Sequence, residues 1–401
     1  MRAGIGAPLH VALAAVATLL IACANTDIDT RDAGQRPVDL AGDEAGIWYV
    51  VDKAEDDVRT SGYRNRDPAL NAYVQEVACR VVGEYCDDLR LYILDVPVFN
   101  ASMYPNGMMI VFSGLLLRAD NEAQFACVLG HEFGHYLESH SLEQYRKRKN
   151  ASDALLMLQL ATSGTELSLE ATGLGKLLAM TLLSSYSREA ELEADRIGFA
   201  KALEAGYDPA ECAETWLSLA RETAASDSHA TRRSASSGGV FASHPLPSTR
   251  IETLSALADA SPEGGDVRAE AYRRRTASQT ARWLKSDLRT RDFSRSLALH
   301  RKLLEHGHVA AGLVHFYSGE AYRLRDEEGD AGRSIAAYAR AAASADPPPQ
   351  SHRAIADDHR KHGRERDAAA WYRRYLIEAP EAADRQLIES ILVSLLAGAR
   401  R

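Results

Sequence analysis

A chain of 401 residues, 46% apolar and 26% charged, exceeds one ordinary domain and has ample material for a core. Its formal net charge of −9 and pI near 5.8 exclude a dedicated nucleic-acid binder, which needs a concentrated basic face. The one basic run, Arg146-Lys147-Arg148-Lys149, reads as the solvated end of a helix rather than a binding patch.

Residues 1–22 read as targeting sequence: Arg2 gives a positive start, and Val11 to Ile21 is an apolar core too short to span a bilayer comfortably. The run Leu20-Ile21-Ala22-Cys23 is similar to a bacterial lipobox, which would make an acylated Cys23 the mature N-terminus and attach the chain to a membrane through lipid. Ala24 behind it lacks the aspartate of inner-membrane lipoproteins, so the expected place is the periplasm, on the outer membrane; an ordinary cleaved signal would leave a soluble periplasmic protein. Residues 23–44 are polar and without hydrophobic period, as in a tether.

Ile47 to Ser61 and Asp67 to Val82 read as helices, the second opened by an Asp67 N-cap and Pro68. Leu89 to Val96 is a strand, residues 100–105 form a turn-rich connection, and Met108-Met109-Ile110-Val111-Phe112 is a second strand. That second strand is expected at the sheet edge, where its free amides and carbonyls would pair with a substrate backbone. Outside the cytoplasm, Cys79 and Cys86 read equally well as a local disulfide or as two small buried hydrophobes, while Cys127 and Cys212 read as core residues.

The stretch Cys127 to His140 carries the chemistry. At its centre His131-Glu132-Phe133-Gly134-His135 places two imidazoles one helical turn apart on the same face, able to grip one cation. Glu132 then stands where it can take a proton from a metal-activated water, the spacing of zinc hydrolases. A third ligand is expected from a downstream helix, and Glu191 in Ser187-Arg188-Glu189-Ala190-Glu191-Leu192-Glu193-Ala194-Asp195 is the candidate. Asp195, one turn further on, can accept a bond from a ligand imidazole or address the reaction centre. Between these helices lie two apolar runs, Ala154 to Ala161 and Leu174 to Ser185, each shorter than a membrane span.

Gly206 ends the ligand helix and Tyr207-Asp208-Pro209 starts the next, which holds Trp216. Ser226 to Gly239 has the composition of a mobile loop and leads to Ser243-His244-Pro245-Leu246-Pro247; a helix from Ser248 to Ala258 closes the domain. Residues 261–272 read as a linker. Beyond them, residues 273–401 are helical and repeat: Tyr338 and Tyr372, like Ala341 and Tyr375, are 34 apart, and Gly363, Ala368 and Pro380 fall at tetratricopeptide offsets. Such a solenoid presents a concave face to peptides or partner proteins.

These motifs together resemble the HtpX-type gluzincin zinc metallopeptidases, and within them the periplasmic branch that enhances β-barrel assembly and carries C-terminal tetratricopeptide repeats. The residues that carry the resemblance are Asn100-Ala101 with Pro105-Asn106-Gly107, Ser113-Gly114-Leu115-Leu116, Gly130 to His135 with His140, Ser187-Arg188 with Glu191 and Ala194-Asp195, and Ser243 to Pro247. Asn106 stands where the family commonly has glycine. The resemblance implies a mostly helical α+β fold, with a peptidase domain at residues 45–260 containing a small sheet, followed by the repeats. It implies one zinc ion held by His131, His135 and Glu191, Glu132 as general base, Asp195 as a supporting residue or proton donor, and His244 on a loop that can cover the metal as a fourth ligand. It also implies unfolded or misassembled outer-membrane proteins as substrates and the barrel-assembly complex as a partner of the repeats. An alternative reading makes the chain a scaffold or chaperone in which the repeats act and the metal site is capped or vestigial.

Overall fold

The computed structural model describes residues 31–37, 39, 42–149, 186–228, 244, 248–262, 264–307 and 310–398. The expected lipobox, the two apolar runs between residues 154 and 185, and most of the loop before His244 lie outside the described residues.

Helix α1 (Asp43–Thr60) begins inside the stretch read as tether. Residues just before it are also docked: Arg31 is buried, donates its amide to the Leu137 carbonyl at 2.9 Å and lays its guanidinium 5.0 Å from the Tyr136 ring centre. Helix α2 (Pro68–Val82) starts as its sequence demands, with the Asp67 carboxylate accepting from the amides of Ala69 and Leu70. A short 3-10 turn follows (Gly83–Asp88), and the Cys79–Cys86 disulfide closes it onto α2.

Three strands make one sheet: β1 (Arg90–Leu94), β2 (Ala101–Met103) and β3 (Met108–Phe112), in the order β1-β3-β2. Two expectations change here. The connection at 100–105 contains β2, too short and too small-residued to show a strand period. And Met108 to Phe112 is the central strand, parallel to β1 and antiparallel to β2, with all five residues buried. Its unbroken apolar run is the pattern of a strand covered on both faces, which an edge strand with one wet face does not have. On the outer side of β1, Arg64 bridges to Leu94, so among the described residues β2 is the side of the sheet that pairs with one neighbour alone. The turn into β3 is fixed by Asn106, whose side chain accepts from the Met108 amide and donates to Asp52 and Glu55, followed by Gly107 at φ 86°. A side chain at Gly107 would also meet the Asp88 carbonyl at 2.2 Å.

Helix α3 (Ser113–Arg118) leads to the central helix α4 (Glu122–Leu137), all of whose residues are buried. α4 ends at Leu137, and Ser139, at φ 51°, breaks the chain before α5 (His140–Lys149), so His140 opens a new helix instead of ending the metal helix. Helices α6 (Arg188–Glu204), α7 (Ala210–Ala224) and α8 (Ser248–Asp259) enclose α4. A second disulfide, Cys127–Cys212, ties α4 to α7, where two plain core residues were expected. Both cysteines sit in apolar helical patterns, and the sequence alone does not reveal that those helices face each other.

The residues expected as linker are held in place. The Asp266 amide donates to the Gly206 carbonyl at 2.9 Å, and α9 (Ala269–Asp287) runs straight into the core around α4. Tyr272, Trp283 and Leu284 of α9, Leu299 and Leu303 of α10 (Phe293–His306) and Val314 of α11 (Ala311–Arg325) share one apolar cluster with α4. Buried ion pairs reinforce the junction: Arg118 meets Glu222 at 2.8 Å and Asp287 at 2.6 Å, and Arg295 meets Glu222 at 2.7 Å. Helices α11, α12 (Asp330–Ala342), α13 (Pro349–Lys361), α14 (Glu365–Glu378) and α15 (Arg385–Gly398) then pack in sequence order, with two smaller cores of their own.

Candidate metal centre

Helices α4 and α6 cross at the distance of bare backbones. A Cβ on Gly130 would stand 2.8 Å from the Gly198 carbonyl oxygen, and one on Gly134 would stand 2.9 Å from the Ala194 Cα. Only glycine permits that approach, and it brings Glu191 and Asp195 of α6 up to His131 and His135 of α4.

Four side chains converge: His131, His135, Glu191 and His244, all buried, with one ligand atom from each lying within 4.8 Å of the others. His131 Nε2 is 3.2 Å from His135 Nε2 and 3.1 Å from His244 Nδ1. Glu191 Oε1 lies 3.0 Å from His244 Nδ1 and 3.6 Å from His135 Nε2, and its Oε2 is 3.5 Å from His131 Nε2. Ligands about 2.0–2.1 Å from a tetrahedral ion stand roughly 3.3–3.4 Å apart, so these separations bracket such a site. Charge agrees. Glu191 and Asp195 are both buried against a single buried guanidinium, Arg250, and both are held below the usual carboxylate range, which leaves net negative charge for a cation to neutralise when the imidazoles are neutral. Burial holds the His135 imidazole well below its usual range, which keeps it neutral and able to ligate.

The other ring nitrogens are spoken for. His131 Nδ1 donates to Asp195 Oδ1 at 2.9 Å, fixing the tautomer that aims Nε2 at the centre. His135 Nδ1 lies 2.9 Å from His140 Nδ1, whose Nε2 reaches Glu193 at 3.3 Å, and the Tyr186 ring stacks on His135 at 3.9 Å. Asp195 is thus turned to the back of His131. Burial pushes its carboxyl upward, but Arg250 overrides this and holds it below the usual carboxylate range, so it stays ionised; this geometry suits a support and not a proton donor. Glu132 is not among the four, and its Oε1 is 3.2 Å from His244 Nε2.

Sequence reasoning brought His131, Glu132, His135, Glu191, Asp195 and His244 to one place, and it missed Arg250. That residue is 0% exposed, forks onto both Asp195 oxygens at 2.7 Å and lies 4.4 Å over the Trp216 ring. The signal was present: Arg250 and the buried Leu254 are one turn apart, so a charge stands on the apolar stripe of α8. Cys79 and Cys86, and Met108 to Phe112, lie away from the four-residue cluster, in the α2 turn and the sheet.

A helix-borne histidine pair, a carboxylate from a second helix and a glutamate outside the ligand set are the arrangement that gluzincin metallopeptidases use. Residues 64–258 match the model of peptidase family M48. The chain is 28% identical over 251 residues to the putative beta-barrel assembly-enhancing protease of Vibrio cholerae, which covers 58% of this chain and 50% of that protein. It is 26% identical over 218 residues to the beta-barrel assembly-enhancing protease of Escherichia coli K12, covering 52% and 42%. It is also 30% identical over 165 residues to the mitochondrial metalloendopeptidase OMA1 of Arabidopsis thaliana, covering 40% and 30%. The chain thus spans half or less of the length of these relatives.

Proposed function

We propose that the chain is a zinc endopeptidase of the periplasm, attached to the outer membrane by lipid on Cys23, that cleaves misfolded or stalled outer-membrane proteins and is restrained by His244. The observation that carries the reading is the buried cluster of His131, His135 and Glu191 beside an unligated Glu132. The names of the Vibrio and Escherichia relatives support the substrate class and a barrel-assembly partner for the C-terminal helices, read here as tetratricopeptide pairs. No helix among the described residues is long and apolar enough to cross a membrane.

His131, His135 and Glu191 would hold the zinc ion, which supplies Lewis acidity that acidifies a water and polarises the scissile carbonyl. Glu132 takes the water's proton and returns it to the leaving amine. The β2 rim at Ala101–Met103, rather than the central Met108–Phe112 strand, is where an extended substrate would align. His244 blocks twice. Its Nδ1 stands among the ligands as a fourth donor, and its Nε2 lies against Glu132, so water and base become available together only when the loop withdraws.

The test compares wild type, Glu132→Gln and His244→Ala on an unfolded outer-membrane protein. Glu132→Gln is expected to keep the metal and lose cleavage, and His244→Ala to cleave faster than wild type. Cleavage retained by Glu132→Gln defeats the mechanism. Inactivity of both wild type and His244→Ala defeats the protease reading in favour of a scaffold.

A further inference from the structure

Behind the metal ligands, Arg250 is fixed on three sides. Its Nη1 is 2.8 Å from Glu191 Oε2, its Nε and Nη2 bind Asp195 Oδ2 and Oδ1 at 2.7 Å each, and its face covers Trp216. Asp195 Oδ1 in turn holds His131 Nδ1. We propose that Arg250 is a positioning residue for the metal centre: it restricts Glu191 to ligation through Oε1 and, through Asp195, keeps His131 Nε2 aimed at the ion.

The proposal rests on the metal-site reading above. A glutamate with both oxygens free can chelate through both, adding a donor where His244, a water or a substrate carbonyl belongs. An ion pair on Oε2 removes that option and leaves Oε1, the oxygen nearer His244 and His135. Only a planar guanidinium can serve two carboxylates in one plane; an ammonium reaches them as a single point. Its place is held from the far side by Trp216, through the attraction of a cation to an aromatic face. Trp216 is held in turn. Cys127 and Cys212, joined by the disulfide, lie one helical turn before His131 and Trp216 respectively, so a covalent link fixes the helices on which the histidine meets the indole edge-on and the guanidinium covers the indole face.

The experiment uses the full chain, stripped of metal and loaded with cobalt(II), whose ligand-field bands weaken as the coordination number rises. Affinity is read by competition with a chromophoric chelator. Wild type is expected to bind one ion per chain with the intense bands of a four-coordinate site. Arg250→Lys is expected to weaken binding about 10- to 100-fold and to shift the bands toward a five-coordinate spectrum. Asp195→Ala, which spares the Glu191 contact, is expected to lose affinity while keeping the four-coordinate bands. Equal affinity and an unchanged spectrum in Arg250→Lys overturn the proposal. If that variant does not fold, Asp195→Ala carries the test: undiminished affinity overturns it equally. Failure of wild type itself to take up cobalt is a different result, because it removes the metal site and not the role of Arg250 within it.

Discussion

Removing one carboxylate at the junction of the two halves of the chain is expected to destabilise the part that holds the metal motif, although the carboxylate lies far along the sequence from that motif. Asp287, at the end of α9, is 1% exposed and accepts from Arg118 Nη2 and Ser296 Oγ, each at 2.6 Å. Burial pushes its carboxyl upward, and the Arg118 guanidinium overrides that and keeps it ionised. Breaking a buried pair from one side costs about 3–5 kcal/mol. In Asp287→Ala, Glu222 still grips Arg118 Nε through both oxygens, at 2.8 and 3.0 Å, which places the loss near the lower end, about 3 kcal/mol. That is a large share of an ordinary domain's stability. Urea unfolding followed by far-ultraviolet circular dichroism, with residual peptidase activity measured at each concentration, reads the effect. Activity and helix signal should fall together at a lower urea concentration than in wild type. An unchanged activity midpoint, with loss confined to the C-terminal helices, would show that α9 is an appendage and refute the reasoning. On the same argument, a chain ending at Gly264 is expected to give no folded peptidase.

The two disulfides should differ in weight. The Cys127–Cys212 link closes 85 residues and the Cys79–Cys86 link only 7, so chain entropy assigns them roughly 4–5 and 2–3 kcal/mol. Thermal melting of Cys127→Ser and Cys79→Ser checks this, and equal losses contradict it. Acid sensitivity has a definite source in His300, which burial pulls from 6.5 down to about 4. Below pH 6.5 the unfolded chain binds this proton while the folded one does not, so stability present at neutral pH drains away between pH 6.5 and about 4, by on the order of 3 kcal/mol. His300→Gln should flatten that part of the stability profile, and an unaltered profile would assign the loss to other groups.

The motif around His131 was legible because its chemistry is local: two imidazoles one turn apart and a glutamate between them follow from helix geometry alone. Glu191, Asp195 and His244 were also legible, since each sits in a short pattern of its own. The middle strand was misread as an edge because β2 is only three residues long, and strand order depends on pairing across the chain. The Cys127–Cys212 bond and the Arg250 fork could not be read from periodicity, because each joins residues of different helices whose crossing is decided by packing. The linker failed for a similar reason. Ser261-Pro262-Glu263-Gly264-Gly265 has the composition of a hinge, but Trp283 beyond it is buried in the core that surrounds the metal helix and donates to Asp95 at 3.1 Å. The sequence by itself picked out the side chains with ligand and base chemistry and, for those on α4 and α6, the helix face on which each stands. The tertiary structure alone decided how close the helices come, which is set by the bare backbones of Gly130, Gly134 and Gly198, and with it whether those groups meet as one site.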